Sequence, residues 1–244
     1  MDFIDYPSPN FDDRRDGQPP SLIVLHFTRG DTRLSLGQLT DNGGKDRVSS
    51  HYLIDEQGHI FRLVPEEKRA WHAGAGYWKG STDVNAASIG IEISNNGRKP
   101  YPPEQLAAVT KLCHDLQRRY HIPAQNVIGH SDMAPDRKDD PGYHFPWAAL
   151  AKEGIGINPE PKLRDRFLAR AAARNPRRLE KLFAKAGYKA ASLEKLVSAF
   201  QQHYEPQVYT APRHGEQPGK ATADTVKKLR AVARYNKKHK GLNS

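Results

Sequence analysis

Three short runs of β-branched apolar residues constrain this chain more than any other feature: "SLIVLHFT" (21–28), "ASIGIEIS" (87–94) and "NVIGH" (126–130). Each is apolar, short and bounded by turn-forming residues, which reads as a buried strand. In 87–94, Ile89, Ile91 and Ile93 share one face while Gly90 and Glu92 share the other, as strand alternation requires. "SSHYLIDEQGHIFRLV" (49–64) adds a hairpin around a Gly-containing turn. Residues 103–120 read as a helix with a Pro-Pro start, which suits a first turn. Leu106, Val109, Thr110, Cys113, Leu116 and Tyr120 fall on one helical face there, so Cys113 is expected in the core rather than as a catalytic thiol. Strands mixed with helices make residues 1–155 an α/β or α+β domain.

The pattern changes after "KEGIGINPEPK" (152–162), whose two Gly and two Pro mark a linker, with 156–162 as its core. "NPRRLEKLFAKAGY" offers Asn175 as N-cap, Pro176 at the first helical position and Gly187 as the stop. "SLEKLVSAFQQHY" starts on Ser192 and carries Leu193, Leu196, Val197 and Phe200 as an apolar stripe. With "TADTVKKLRAVARY" these make a small bundle of about three helices over 163–244, and 206–220 reads as an irregular loop.

Charge divides along the same boundary. The net charge is +10, yet residues 162–244 hold 20 Lys and Arg against 6 Asp and Glu, a balance of +14. The preceding residues are mildly acidic at −4. A basic tail domain on an acidic body is the pattern of a surface that meets a polyanion. Nucleic acid, anionic lipid and acidic wall polymer all qualify by charge. No nucleic-acid-binding motif is recognisable, so no nucleic-acid partner is expected. No window is apolar enough to span a bilayer. The polar N-terminal stretch "MDFIDYPSPNFDDRRDGQPP" lacks a basic segment followed by an apolar one. On that absence and the single cysteine the cytoplasm is the expected compartment of the chain as written, whereas a trimmed N-terminus would allow the periplasm or cell envelope.

The strand ends carry the chemistry. Polar groups at the ends of parallel or mixed strands converge on one rim of an α/β sheet. His26 ends the first run, Glu92 lies near the end of the Ile-rich run, and His130 ends "NVIGH". Two histidines and a carboxylate around zinc, with the fourth position open, form a hydrolytic arrangement. The third ligand would come from the loop after His130, where Asp132, Asp136, Asp139 and Asp140 compete and spacing alone chooses none.

These stretches, in order, resemble the zinc-dependent N-acetylmuramoyl-L-alanine amidases of the amidase-2 type, a superfamily that includes the peptidoglycan recognition proteins. The matching segments are "VLHFT", "VSSHYLIDEQGHI", "LVPEEKRAWHAG", "WKG", "SIGIEISNNG" and "GHSDMAPDRKDDPG…FPW", spread over residues 20–150. A looser likeness, "AFQQHYEP…GKATADTVKKL", is similar to the peptidoglycan-binding helical domain of the two-domain, AmiD-like members. The resemblance implies a mixed central sheet flanked by helices for residues 1–155, one zinc ion, and a peptidoglycan or muropeptide substrate. It implies a basic domain over 163–244 that binds wall polymer.

Carried over by position, the resemblance makes His26, His130 and Asp140 the zinc ligands, Glu92 the catalytic carboxylate, and Lys138 the cation facing the developing oxyanion. Asp132 would then shape the loop, and Asp136 and Asp139 would be solvated. Some relatives have a Tyr where Ser50 stands here, which leaves the acid–base role to Glu92. His72, Trp71, Trp78 and Asn95 are candidates for substrate contact; the alternatives are support of the rim for His72, packing for the two tryptophans and turn formation for Asn95. The other eight histidines, His51 and His203 among them, are expected to be structural or exposed. The implied reaction is hydrolysis of the amide between N-acetylmuramic acid, or its 1,6-anhydro form, and L-alanine, in wall turnover or recycling. The competing reading is a non-catalytic peptidoglycan-recognition protein, and the presence of all three ligands, Glu92 and Lys138 weighs against it.

Overall fold

A computed structural model describes residues 2–41, 43–167, 169–190 and 192–239, with the backbone alone at Asp16. Its strands are β1 (Phe3–Asp5), β2 (Phe11–Asp13), β3 (Leu22–Phe27), β4 (Tyr52–Ile54), β5 (Ile60–Arg62), β6 (Lys68–Ala70), β7 (Ser88–Ile93) and β8 (Val127–Gly129). Six of them form a mixed sheet in the order β1-β5-β4-β7-β3-β8, and β2 pairs with β6 separately. β4 and β5 are the antiparallel hairpin; β4–β7, β7–β3 and β3–β8 are all parallel. The expected α/β class with a mixed central sheet is therefore borne out.

The alternation of β3 and β7 sorts their residues onto two faces. Ile23, Leu25, Ile89, Ile91 and Ile93 pack against Val109, Leu112, Cys113 and Leu116. Those four lie on α3 (Pro103–Tyr120), which follows α1 (Thr32–Thr40) and the single turn α2 (Val84–Ala87). α3 begins with Pro103 at its first position, and His121 ends it in the left-handed region at φ 53°. Leu22 and Val24 face the other way, and so, two residues on, does His26.

That second face is covered by the C-terminal helices. After the turns α4 (His130–Met133) and α5 (Trp147–Leu150) come α6 (Leu163–Arg166), α7 (Ala169–Ala173), α8 (Pro176–Ala186), α9 (Leu193–Tyr204), α10 (Gln207–Thr210) and α11 (Ala223–Lys238). One apolar cluster runs from Leu22, Val24 and Ile128 through Trp78 and Met133 into Phe183, Phe200, Leu229 and Val232. Ile155 and Ile157, at the start of the glycine- and proline-rich stretch, are both buried. Three caps agree with the sequence: the Asn175 side chain accepts from Arg178 N–H, Gly187 closes α8 at φ 103°, and Ser192 caps α9; Thr222 caps α11 as well.

Three details differ from expectation. His130 opens a helical turn instead of ending a strand. The stretch 206–220 contains the turn α10. The proline-rich N-terminus supplies β1 and β2, three residues each, which exist only because β5 and β6 provide partners.

Candidate metal centre and active-site cleft

Register fixes the first two functional groups. His26 on β3 is paired directly with Glu92 on β7, and β8 runs along the opposite edge of β3 and delivers His130. The three groups thus emerge at the carboxyl ends of neighbouring parallel strands, where open α/β sheets bind ligands. Asp140 returns from the loop after α4; Ser131 N–H donates to its carbonyl at 2.8 Å, tying the loop's end to its start.

His26 Nδ1, His130 Nδ1 and Asp140 Oδ2 converge: 2.8 Å between the two nitrogens and 3.0 Å from each to the oxygen. All three residues are buried. The outer side of each ring fixes its tautomer. His130 Nε2 lies 2.9 Å from the Ala73 carbonyl, which can only accept, so the proton is on Nε2 and Nδ1 is bare. Ser88 Oγ–H donates to the Val84 carbonyl at 2.5 Å, so Ser88 accepts from His72 Nε2–H at 3.2 Å. His72 Nδ1 is then bare and accepts from His26 Nε2–H at 2.9 Å. His26 Nδ1 is left bare as well.

Two imidazole lone pairs and a carboxylate oxygen therefore face one another with no proton between them. Such a set repels itself unless a cation occupies its centre, and it forms the one metal-competent cluster of three such groups among the described residues. Nitrogen and oxygen donors about 2.0–2.1 Å from an ion, in tetrahedral array, would stand roughly 3.3 Å apart, close to the spacing seen. The residues fit zinc. Burial and the neighbouring His130 push His26 down to about 4. Burial alone would raise Asp140, but the two histidines hold it far below the usual carboxylate range. Burial and the surrounding histidines keep His72 well below its ordinary value. All of these favour the deprotonated forms that bind metal.

Beside this centre is a cleft of about 180 Å³ whose wall includes Glu92, Lys138, Trp71, His72 and Arg29. Glu92 Oε2 is buried without a hydrogen-bond partner. Burial, with repulsion from Asp140, raises the Glu92 carboxyl well above the carboxylate range, against the pull of Lys138. Trp71 lies at the rim, its indole N–H donating to Asp12 at 2.7 Å and its ring facing the Arg47 guanidinium at 5.1 Å.

Two expected substrate contacts are not in the cleft. Trp78 is buried edge-on against Tyr188, in the apolar cluster it shares with the C-terminal helices. Asn95 is buried and accepts from Asn96 and Gly97 N–H, a turn-forming role. Of the competing aspartates, Asp139 is exposed and pairs with Arg29 at 2.6 Å, and Asp136 is exposed. Asp132 is buried and accepts from Gly129 N–H at 2.8 Å. The sequence reads His72 as substrate contact or support of the rim, and its hydrogen bond to His26 has no sequence signal.

The chain resembles known proteins over most of its length. Residues 16–143 match the family described as N-acetylmuramoyl-L-alanine amidase. The N-acetylmuramoyl-L-alanine amidase AmiD of Escherichia coli is 38% identical over 220 residues, covering 80% of this chain and 78% of the relative. The solved complex of E. coli AmiD with anhydro-N-acetylmuramic acid-L-Ala-D-γ-Glu-L-Lys superposes with a TM-score of 0.75 at 35% identity, covering 91% of this chain and 92% of that one. AmpDh3 from Pseudomonas aeruginosa, solved with an anhydromuramic pentapeptide, gives a TM-score of 0.75 at 32% identity, covering 91% and 93%.

Proposed function

The chain belongs to the N-acetylmuramoyl-L-alanine amidase family, and on that premise we propose that it cleaves the amide between the lactyl group of muramic acid and L-alanine, taking anhydro-muropeptides as substrates. The observation that carries this reading is the meeting of two bare imidazole nitrogens and a carboxylate next to Glu92.

His26, His130 and Asp140 would hold one zinc ion. Bound there, zinc supplies Lewis acidity toward a carbonyl oxygen and toward water, whose pKa such ions lower from 15.7 to roughly 7. Glu92 takes the proton of the attacking water and returns it to the alanine nitrogen as the C–N bond breaks, releasing a lactyl carboxylate and a free peptide amine. Lys138, on the same cleft wall, stabilises the negative oxygen of the tetrahedral intermediate, a contribution of about 3–4 kcal/mol per donor in comparable sites. Trp71 offers a ring at the rim against which a sugar packs.

We assign residues 163–244 a wall-polymer-binding role. A groove of about 730 Å³ there is lined by Leu179, Leu193, Val197 and Pro218, with Arg170 and Arg174 at its side. Apolar floor and cationic edge suit a glycan strand bearing acidic peptides.

Mass spectrometry of anhydro-muramyl tripeptide incubated with wild type, chelated, zinc-restored and Glu92→Ala protein tests the enzyme reading. Free tripeptide is expected from wild type, is lost on chelation, returns with zinc and stays absent in the variant. Zinc-loaded protein that cleaves neither this substrate nor intact sacculi would overturn it.

A further inference from the structure

The turn that carries His130 is held from outside its own domain. Asp132, two residues after the histidine, is fully buried. Its Oδ2 accepts from Gly129 N–H at 2.8 Å and from His203 Nδ1–H at 2.8 Å, and its Oδ1 accepts from Tyr188 O–H at 2.6 Å. The first bond closes a loop of backbone around His130. The other two come from residues 56 and 71 positions away in the chain, just past α8 and near the end of α9.

Both donors are themselves fixed. The His203 ring is stacked between Trp147 and Tyr204, with centroids 4.0 Å away on each side. Tyr188 packs edge-on against Trp78, Phe183 and Phe200. Charge-assisted bonds at these lengths are strong and directional. A buried carboxylate left with one backbone donor would seek water or another partner, and the turn would move with it.

We propose that Tyr188 and His203 are positioning residues for the metal centre: through Asp132 they fix the His130 turn, so the C-terminal helices complete the hydrolytic site besides any role in binding wall polymer. This rests on the reading that His26, His130 and Asp140 hold zinc. Neither Tyr188 nor His203 lines the cleft, and each acts only through Asp132. Because the ring nitrogen used is Nδ1, an asparagine at 203 presents an N–H near the same place, whereas a glutamine presents it near Nε2.

The test measures zinc affinity by competition with a chromophoric chelator, at a temperature where circular dichroism shows each apo-protein folded, and follows amide exchange of residues 129–132. His203→Gln and Tyr188→Phe are expected to bind zinc about 10-fold more weakly, with faster exchange of the turn and a loss in kcat rather than a rise in KM. His203→Asn is expected to recover zinc affinity to within about 3-fold of wild type, although it loses the same ring stack as His203→Gln. If His203→Gln does not fold, Tyr188→Phe, which removes one oxygen atom, carries the test. Wild-type zinc affinity and exchange in the variants, with only a lowered Tm, would overturn the proposal. Failure of His130→Ala to weaken zinc binding would instead overturn the zinc assignment.

Discussion

Gly90→Ala is the most informative single-atom perturbation of the site. Gly90 lies on β7 beneath the His72 ring, and a Cβ there would stand 2.3 Å from His72 Cγ, 2.5 Å from Cδ2 and 2.6 Å from Nδ1. Carbon contacts settle near 3.5–4.0 Å, so the ring must retreat by roughly 1 Å. The backbone cannot yield easily, because His72 and Ala73 N–H both donate to Asn85 Oδ1. Retreat of the ring stretches the 2.9 Å bond from His26 Nε2–H to about 4 Å, beyond a hydrogen bond. Overpacking of this kind costs about 1–3 kcal/mol. Removing the outer partner of a metal-binding histidine costs about 10–100-fold in metal affinity or activity.

Urea unfolding of the apo-proteins measures the first quantity and chelator competition the second. His72→Ala supplies the control, since it empties the space the new methyl needs. In that background Gly90→Ala is expected to cost less than about 0.5 kcal/mol and to leave zinc affinity at the His72→Ala level. Stability losses that simply add, or a Gly90→Ala protein with wild-type zinc affinity, would refute the claim that His72 orients His26.

Other perturbations reach different parts of the site. Glu92→Gln is expected to reduce single-turnover release of the peptide by about 10²–10⁴-fold. Its apo-protein should be at least as stable as wild type in urea, because a secluded group that resists ionisation becomes neutral; recovery of more than about a tenth of the activity would contradict the acid–base role. Lys138→Met is expected to lower kcat by about 10²–10³-fold with little change in KM, measured on the same substrate. Burial pushes Glu205 up to about 7. The folded chain therefore keeps a proton that the unfolded chain releases at the ordinary carboxylate value of 4.5, and stability falls as pH rises between these two values. The loss is on the order of 3 kcal/mol at about 1.36 kcal/mol per unit. Glu205→Gln is expected to remove that slope, which urea midpoints at about pH 5 and pH 8 would reveal.

The sequence carried the strands and the groups at their ends because both depend on local pattern. Ile89, Ile91 and Ile93 opposite Gly90 and Glu92 declare a strand with one polar face, and Asn175, Pro176 and Gly187 declare both ends of a helix. Spacing leaves four aspartates open and only the family resemblance singles out Asp140; the loop that buries Asp140 and leaves its neighbour Asp139 exposed has no local signature. Likewise β1 and β2, three residues each beside prolines, have no pattern long enough to read. For Trp78 the sequence leaves substrate contact and packing open, and it packs under the C-terminal helices; nothing local in "HSD" or "AFQQHY" discloses that Asp132 and His203 meet.

The pairing of His26 with Glu92 across β3 and β7 has a consequence for how such a site can change. Their relative placement belongs to the backbone ladder rather than to side-chain flexibility. A slip of one residue between the strands would turn Glu92 to the α3 side of the sheet and leave Ile91 or Ile93 on the face that carries His26. No intermediate registers exist, so this element of the catalyst is inherited whole or lost whole. Gradual variation in what is bound falls instead to the loops around the rim, which can lengthen or change composition while the two strands stay as they are.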